Sequence, residues 1–197
     1  MRRRTFDAMA TVAGLAIAAI LVVAGVLLTW GHSFVTNEVH TQLAAQKIFF
    51  PAKNSPGISS LPKADAAAMS QYAGQQMTSG AQAEVWADHF IAVHLKEIGG
   101  GQTYSQLSAK ALADPKNASL AAQVQTVFRG ETLRGLLLNA YGFWKVGQIM
   151  LIGAIAAFAA AGLMFILSLF GLAHLRRTAP EAEILPKLAS RSQVQTA

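Results

Sequence analysis

The sequence predicts an all-α membrane protein in which two transmembrane helices flank an extracytoplasmic helical bundle. Two long apolar runs, 8–28 and 149–173, contain no charged residue. Each exceeds the roughly 18–20 apolar residues that a helix needs to cross a bilayer core. Between the two runs, apolar residues recur at helical spacing, and no stretch alternates with the period of a β-strand. A buried core helix is the alternative for an apolar run, but the length of both runs favours membrane spans.

The chain accordingly divides into five predicted segments. Aromatic residues mark the outer end of each span, Trp30 after the first and Trp144 before the second, because such rings settle at the level of the lipid headgroups. The segments are a cytoplasmic N-terminus (1–7), transmembrane helix 1 (8–30), an extracytoplasmic helical domain (31–145), transmembrane helix 2 (146–173) and a cytoplasmic tail (174–197) that is expected to be disordered.

Basic residues near the ends of the spans predict that both termini are cytoplasmic. Three arginines precede the first span (2–4) and two follow the second (176–177), whereas 30–46 contains no Lys or Arg. This asymmetry is typical of a multi-pass protein of the bacterial cytoplasmic membrane. The first apolar run is longer than the 7–15 residues typical of a cleaved signal peptide, and no small-residue cleavage site follows it. We therefore expect an uncleaved signal anchor.

The net charge of +6 does not indicate a nucleic-acid partner. Seven of the sixteen basic residues lie in the two tails, where the orientation of the spans explains them, and the rest are scattered without the aromatic interleaving of a nucleic-acid surface. The expected partners are the lipid bilayer and either another membrane protein or further copies of the chain. Cysteine is absent, which excludes disulfide bonds and thiol nucleophiles, so the outer domain is expected to be held together by packing.

The first predicted helix continues beyond the first span to about Ile48. Val35, Val39 and Leu43 repeat at intervals of four and form one apolar stripe. The proline- and glycine-containing segment 53–62 is predicted to be a loop.

The second predicted helix begins with Asp65 as its cap and reaches about Thr78. A third helix is predicted at 84–98 and ends at a run of three glycines. A short helix is predicted at 103–112. The last helix begins near Asn117 or Ser119 and runs unbroken into the second span.

Small residues recur every four positions in both apolar runs. Such spacing lets helix backbones approach closely. It favours two arrangements equally, packing of one span against the other or use of one face for dimerisation. The residues are Ala10, Gly14 and Ala18 in the first run and Gly153, Ala157 and Ala161 in the second.

The best candidate for a metal site is the group Asp88, His89, His94 and Glu97. A non-haem iron site needs two histidines and one carboxylate on converging faces. His94 and Glu97 are three residues apart and can converge, but His89 lies five residues before His94, about 140° around an α-helix. We therefore favour a solvated polar face, and we assign no catalytic, cofactor-binding or metal-ligating residue.

Other signatures of chemistry are missing from the sequence. It contains no nucleophile elbow, no zinc-protease motif and no phosphate-binding loop. Neither apolar run contains an ionisable residue, which argues against transport by this chain alone. Arg129, Glu131 and Arg134 lie near the second span. The two arginines are candidates for contacting headgroups or an anionic ligand, and a local Glu131–Arg134 surface pair is the favoured interpretation.

Three segments resemble a family of uncharacterised two-span membrane proteins of actinobacteria. They are 42–51 (QLAAQKIFFP), 87–107 (ADHFIAVHLKEIGGGQTYSQL) and 128–149 (FRGETLRGLLLNAYGFWKVGQI). The resemblance extends from Arg2 to about Arg177 and implies the two-span architecture, but no activity. The architecture is also similar to bacterial sensors that have a helical ligand domain between two spans, although here only a short tail follows the second span.

These observations lead to a ranked set of functional hypotheses. The first is a non-enzymatic membrane protein whose outer helical domain binds a partner, as an accessory subunit does. The alternative is a ligand-sensing module that acts in trans on a partner. A metal-dependent enzyme that uses the group at 88–97 is the third.

Overall fold

The computed structural model describes residues 3–177, and every regular element in that range is helical. Its elements are α1 (Arg3–Ala45), α2 (Pro56–Ser59), α3 (Lys63–Ser70), α4 (Gly80–Trp86), a π-helical segment (Ala87–Ile91), α5 (Ala92–Ile98), α6 (Tyr104–Ala113) and α7 (Ala118–Arg177). The all-α class predicted from the sequence is confirmed. The predicted tail beyond residue 177 lies outside the described residues.

The chain forms two compact units. Of the described residues, we call 3–29 with 152–177 the helix-pair unit, and Trp30–Leu151 the bundle unit. The two long helices contribute to both, because α1 and α7 each continue past the boundary between the units. Both helices are long and apolar enough to cross a membrane.

In the helix-pair unit, α1 and α7 run antiparallel and pack through small residues. Gly14 lies against the side chain of Ser168, and Gly25 lies against the ring of Phe158. Gly171 faces Thr11, whose hydroxyl oxygen lies 2.6 Å from the position that a Cβ would occupy. Larger side chains at these glycines would collide with side chains of the facing helix, so the small residues favour the close approach.

The buried positions of this seam are mainly small residues, while large apolar side chains point outward. Ala18, Ala154 and Ala161 are buried, whereas Ile20 and Ile152 are each 67% exposed. Of the two arrangements left open by the sequence, the structure therefore has small residues packing helix against helix within one chain. Ala18 and Ala161 belong to the predicted sets; Ala154 takes the buried position next to Gly153.

The bundle unit has an apolar core between the long helices and the short elements. Val39 and Leu43 of α1 are buried in it, as predicted for the stripe, and they join Leu137 of α7. Phe50 packs edge-on against Trp86, with 5.1 Å between the ring centroids. The other buried members come from the short elements and the loops between them: Ile58, Leu61, Met69, Met77, Ala83 and Ala87.

Two predicted helix boundaries are wrong because tertiary contacts replace helical ones. α1 ends at Ala45 rather than at Ile48, because the following chain pairs with the segment after α3. In that pairing, the amide of Phe50 donates to the carbonyl of Gln75 over 2.8 Å, and the amide of Met77 donates to that of Ile48 over 2.8 Å.

The second predicted helix is likewise shorter than expected. α3 ends at Ser70 rather than at Thr78, and its N-cap is Pro62. Asp65 lies in the first turn, and its carboxylate accepts a hydrogen bond from His89 instead of capping the helix. The predicted loop 53–62 contains the one-turn helix α2, which begins with proline at its first position.

The predicted helix at 84–98 begins earlier and is not α-helical throughout. Ser79 and Gln82 form a capping box that starts α4 at Gly80. A single π-helical segment, Ala87–Ile91, then separates α4 from α5. The glycine run ends the helix as predicted, with Gly100 and Gly101 at positive φ.

The last two helices agree closely with the sequence. α6 spans Tyr104–Ala113, and a second capping box, between Thr103 and Gln106, starts it. α7 begins at Ala118 and continues without interruption to Arg177.

Candidate interaction surface

The four residues of the candidate metal site do not converge. His89 donates through Nδ1 to Asp65 Oδ1 over 2.7 Å, while His94 donates through Nδ1 to the backbone oxygen of Phe90 over 2.7 Å. Asp88 accepts a hydrogen bond from Arg134 instead. Among residues 3–177, no three His, Cys, Asp or Glu side chains are arranged to hold a metal ion.

Arg134 joins α7 to the π-helical segment. Its Nη2 lies 2.7 Å from Asp88 Oδ1, and its Nη1 lies 3.6 Å from Glu131 Oε2. The predicted Glu131–Arg134 pair is therefore present. Asp88, which we expected to be solvated, is the second carboxylate that pairs with Arg134. All three side chains are about one-third exposed or more, so solvent screens the pairs and each stabilises the fold only modestly.

The short elements cover one side of the α1–α7 pair in the bundle unit. Gly80 packs directly against Trp144 and the backbone of Tyr141, and Leu95 packs against Gly130. Leu137 points into the same core. This side of α7 is therefore occupied from Gly130 to Trp144.

The neighbouring side of the pair is open and forms an apolar groove with a volume of about 500 Å³. Phe34, Leu136 and Phe143 are 58%, 62% and 57% exposed, although all three are large apolar side chains. We call this feature the open groove. It is lined by Phe34, Val35, Glu38, Val39 and Gln42 of α1 and by Leu136, Asn139, Ala140 and Phe143 of α7.

A second depression of about 330 Å³ adjoins the open groove. The two share Gln42, Leu136 and Ala140, and the second reaches Trp86 and Ile91 of the short elements. The apolar surface thus continues from the open groove to the edge of the bundle core.

The chemistry of the open groove suits binding rather than catalysis. Glu38 is the only charged residue that lines it. That carboxylate accepts a hydrogen bond from Gln42 Nε2 over 2.8 Å. No nucleophile with an adjacent base lies among the lining residues. Exposed apolar patches with a polar rim mark interaction sites in folded proteins.

The open groove is not among the features predicted from the sequence, although the sequence contains a signal for it. Along α1, the lining residues recur at intervals of four positions: Phe34, Glu38 and Gln42. Along α7, they recur at intervals of three and four positions: Leu136, Asn139 and Phe143. Helical spacing places each set on one face. Spacing alone does not tell which apolar face of a helix the rest of the chain covers.

The helix-pair unit contains a small pocket of about 200 Å³ that the sequence pattern does not predict. Asp7, Thr11, Ser168 and His174 line it. His174 Nε2 lies 3.9 Å from Asp7 Oδ2, and the Thr11 hydroxyl donates to the backbone oxygen of Asp7 over 2.8 Å. Asp7 lies directly before the first apolar run and His174 directly after the second, so neither run itself contains an ionisable residue. The hydroxyl of Ser168 lies against Gly14.

The chain matches no protein-family model, no curated protein and no solved structure. The resemblance to two-span membrane proteins of actinobacteria therefore stays a prediction.

Proposed function

We propose that this chain is an integral membrane protein of the bacterial cytoplasmic membrane that binds another membrane protein through the open groove. It acts as an accessory subunit, without catalytic activity of its own. The observation on which the proposal depends is the open groove, whose large apolar side chains are more than half exposed. Burying such side chains on a partner is favourable by roughly 25 cal/mol per Å² of apolar surface.

The helix-pair unit supports insertion into a membrane. Its two helices have the length and apolar composition of membrane spans. Small residues form its inner seam, and isoleucine, valine, leucine and phenylalanine side chains form its exposed surface. Water penalises such a surface, whereas lipid chains do not. The arginines at 2–4 and 176–177 favour an orientation with both termini in the cytoplasm and the bundle unit outside.

The bundle unit supports binding over catalysis. Two of the four candidate metal ligands make contacts between helices, His89 with Asp65 and Asp88 with Arg134. The open groove is apolar and extends along two helices. Grooves of this shape bind an amphipathic helix of a partner protein.

A photocrosslinking experiment tests the proposal. A photoreactive amino acid is placed at Phe34 or Leu136 of the full-length protein in native membranes, and at Lys110 on α6 as the matched exposed control. We expect one discrete crosslinked membrane protein from the two groove positions and none from the control. Equal diffuse labelling from all three positions would contradict a binding role for the open groove.

Membrane orientation is tested separately. The chain lacks cysteine, so a single Lys110→Cys substitution reports on the bundle unit alone. We expect a membrane-impermeant maleimide to label this cysteine in intact cells. Labelling that requires prior disruption of the membrane would place the bundle unit in the cytoplasm.

A further inference from the structure

The pocket in the helix-pair unit lies where α1 and α7 reach the ends of the two apolar runs. Asp7 directly precedes the first run, and His174 directly follows the second. Thr11 and Ser168 line the pocket with them, and we call it the Asp7 pocket. In the proposed orientation, its level is that of the cytoplasmic lipid headgroups. Ionisable residues that face a cavity between membrane helices are candidates for a functional site.

Asp7 offers this pocket a carboxylate oxygen that lacks a donor. Its Oδ2 atom is buried and makes no hydrogen bond to another of the described residues. The Nε2 atom of His174 lies 3.9 Å from that oxygen, which is beyond hydrogen-bond distance. A buried acceptor without a donor destabilises the fold, so this oxygen is suited to accept a hydrogen bond from a ligand.

Ser168 offers a second polar atom from the opposite helix. The residue is only 4% exposed, and its hydroxyl makes no hydrogen bond to another of the described residues. A hydroxyl inside a helix often donates to the carbonyl four residues earlier, as Thr11 does to Asp7 over 2.8 Å. Since Ser168 does not, its hydroxyl is available to a group in the pocket that it lines.

The remaining lining is apolar and leaves room for part of a ligand. It consists of Ala10, Gly14, Met164, Leu167 and Gly171. A cavity of about 10–15 Å³ holds one water, whereas the Asp7 pocket has a volume of about 200 Å³. Its lining contains a single carboxylate, which is too few oxygen ligands for a divalent cation. The pocket therefore suits a monovalent cationic group on a short apolar stem.

Two arginines flank the Asp7 pocket along the helices. Arg4 lies three residues before Asp7, and this spacing makes them neighbours on one helix face. Arg177 lies three residues after His174 in the same way. Both arginines are exposed, and neither forms an ion pair with another of the described residues. Because arginine binds phosphate oxygens, this end of the helix pair offers an acceptor for a cation next to donors for a phosphate.

We propose that the Asp7 pocket binds the primary ammonium group of a phospholipid headgroup, that of phosphatidylethanolamine, while Arg4 and Arg177 contact the phosphate. The ammonium group donates charge-assisted hydrogen bonds to Asp7 Oδ2 and to the hydroxyl of Ser168. The headgroup of phosphatidylcholine carries the same charge but no N–H donor, and that of phosphatidylglycerol carries no cation. The inference rests on the membrane insertion in the proposed function and does not involve the open groove.

Native mass spectrometry of the full-length protein tests this selectivity. The protein in a mild detergent is titrated with phosphatidylethanolamine, phosphatidylcholine or phosphatidylglycerol of identical acyl chains. A further titration with phosphatidylethanolamine contains equimolar free ethanolamine. Asp7→Asn removes the charge of the pocket, and Ser168→Ala removes its hydroxyl. The matched control is Asp114→Asn, at an exposed carboxylate between α6 and α7.

We expect the unsubstituted protein to bind phosphatidylethanolamine at least about tenfold more tightly than either other lipid, equivalent to about 1.4 kcal/mol. Asp7→Asn and Ser168→Ala should each abolish this preference, and Asp114→Asn should retain it. Ser168→Ala makes a side chain that faces Gly14 smaller, so it introduces no clash, and equal unfolding midpoints without lipid verify the fold. Substituting Arg4 and Arg177 by glutamine should weaken binding of all three lipids, since each contains a phosphate.

The outcomes separate this inference from the proposed function. Equal affinities of the unsubstituted protein for phosphatidylethanolamine and phosphatidylcholine would overturn recognition of the ammonium group. A preference that survives both Asp7→Asn and Ser168→Ala would overturn the pocket as its site. Displacement of the lipid by equimolar ethanolamine would assign the pocket to a soluble amine and overturn the lipid. Release of the protein from native membranes by alkaline carbonate would instead overturn membrane insertion, and the proposed function with it.

Discussion

Gly80 provides the sharpest test of how α4 packs on α7. It is the first residue of α4, and the side chain of Trp144 and the backbone of Tyr141 occupy the space where its Cβ would lie. The Cγ atom of Trp144 is 2.7 Å from that position, and the Cα atom of Tyr141 is 3.1 Å from it. These are atoms close to or within the backbone of α7. The Cβ atom of Trp144, which also faces this position, and the Cα atom of Tyr141 cannot withdraw by a rotamer change, so Gly80→Ala must push the two helices apart.

The cost of that displacement follows from the behaviour of overpacked cores. An extra methyl group in a well-packed site destabilises a protein by about 1–3 kcal/mol. The matched control is Gly135→Ala on α7, where a Cβ meets nothing within 4 Å. Because alanine favours a helix interior over glycine, this control should stabilise the single chain by up to about 1 kcal/mol. The same chemical change is therefore expected to have opposite signs at the two positions.

Thermal unfolding of the full-length protein in a mild detergent measures the difference, with tryptophan fluorescence as the signal. For a chain of this size, each kcal/mol shifts the midpoint by about 2–4 °C. Gly80→Ala should lower the midpoint, and Gly135→Ala should leave it unchanged or raise it. An unchanged or raised midpoint for Gly80→Ala would refute the close contact between α4 and α7. The measurement is made at high dilution, so that association between copies does not contribute.

Two further substitutions test the cores of the two units. Phe50→Ala should destabilise the bundle unit by about 3–5 kcal/mol, because Phe50 is only 2% exposed. Phe49 is 57% exposed, so Phe49→Ala should destabilise it far less. Equal unfolding midpoints for the two variants in the fluorescence assay would contradict this prediction. Gly14→Leu should separate the helix-pair seam at Ser168, whereas Gly162→Leu on an open face should not. The temperature at which each detergent-solubilised variant precipitates measures the effect. Equal precipitation temperatures for the two variants would contradict close packing of α1 against α7 at Gly14.

The parts of the fold that the sequence predicted correctly depend on local chemistry. Thr103 and Gln106 form their capping box within one turn, and Asn117 accepts a hydrogen bond from the backbone amide of Leu120 at the start of α7. Such signals are complete within four residues, so they can be read without knowing the fold. The two long apolar helices are recognisable for the same reason, because composition alone identifies them.

The errors arise where a distant residue competes for a local role. Asp65 has the chemistry of a helix cap, but His89, from another helix, takes its carboxylate. The π-helical segment cannot be recognised from residue types, since its sequence also fits a continuous α-helix. Angles between His89 and His94 worked out for a regular α-helix therefore do not apply across it.

The open groove illustrates a different limit of sequence reasoning. Apolar residues occur on more than one face of α7. For example, Leu136 and Leu137 are adjacent in the sequence and therefore lie on different faces of the helix. Leu137 is buried in the core, and Leu136 is 62% exposed. Only the position of the short elements distinguishes the two, and that position depends on contacts such as Gly80 with Trp144.

Three of the five histidines make hydrogen bonds within the fold. His32 donates to the backbone oxygen of Gly147, His89 donates to Asp65, and His94 donates to the backbone oxygen of Phe90. A histidine that acts in catalysis or binds a metal also has one nitrogen held in this way, but its free nitrogen faces a substrate cavity or other ligands. None of these three histidines lines the open groove. These three histidines are thus separated from the open groove, and the groove offers apolar contact, two amides and one carboxylate. An arrangement of this kind can select and hold a helix, and its specificity is expected to reside in Asn139 and Glu38 rather than in the histidines.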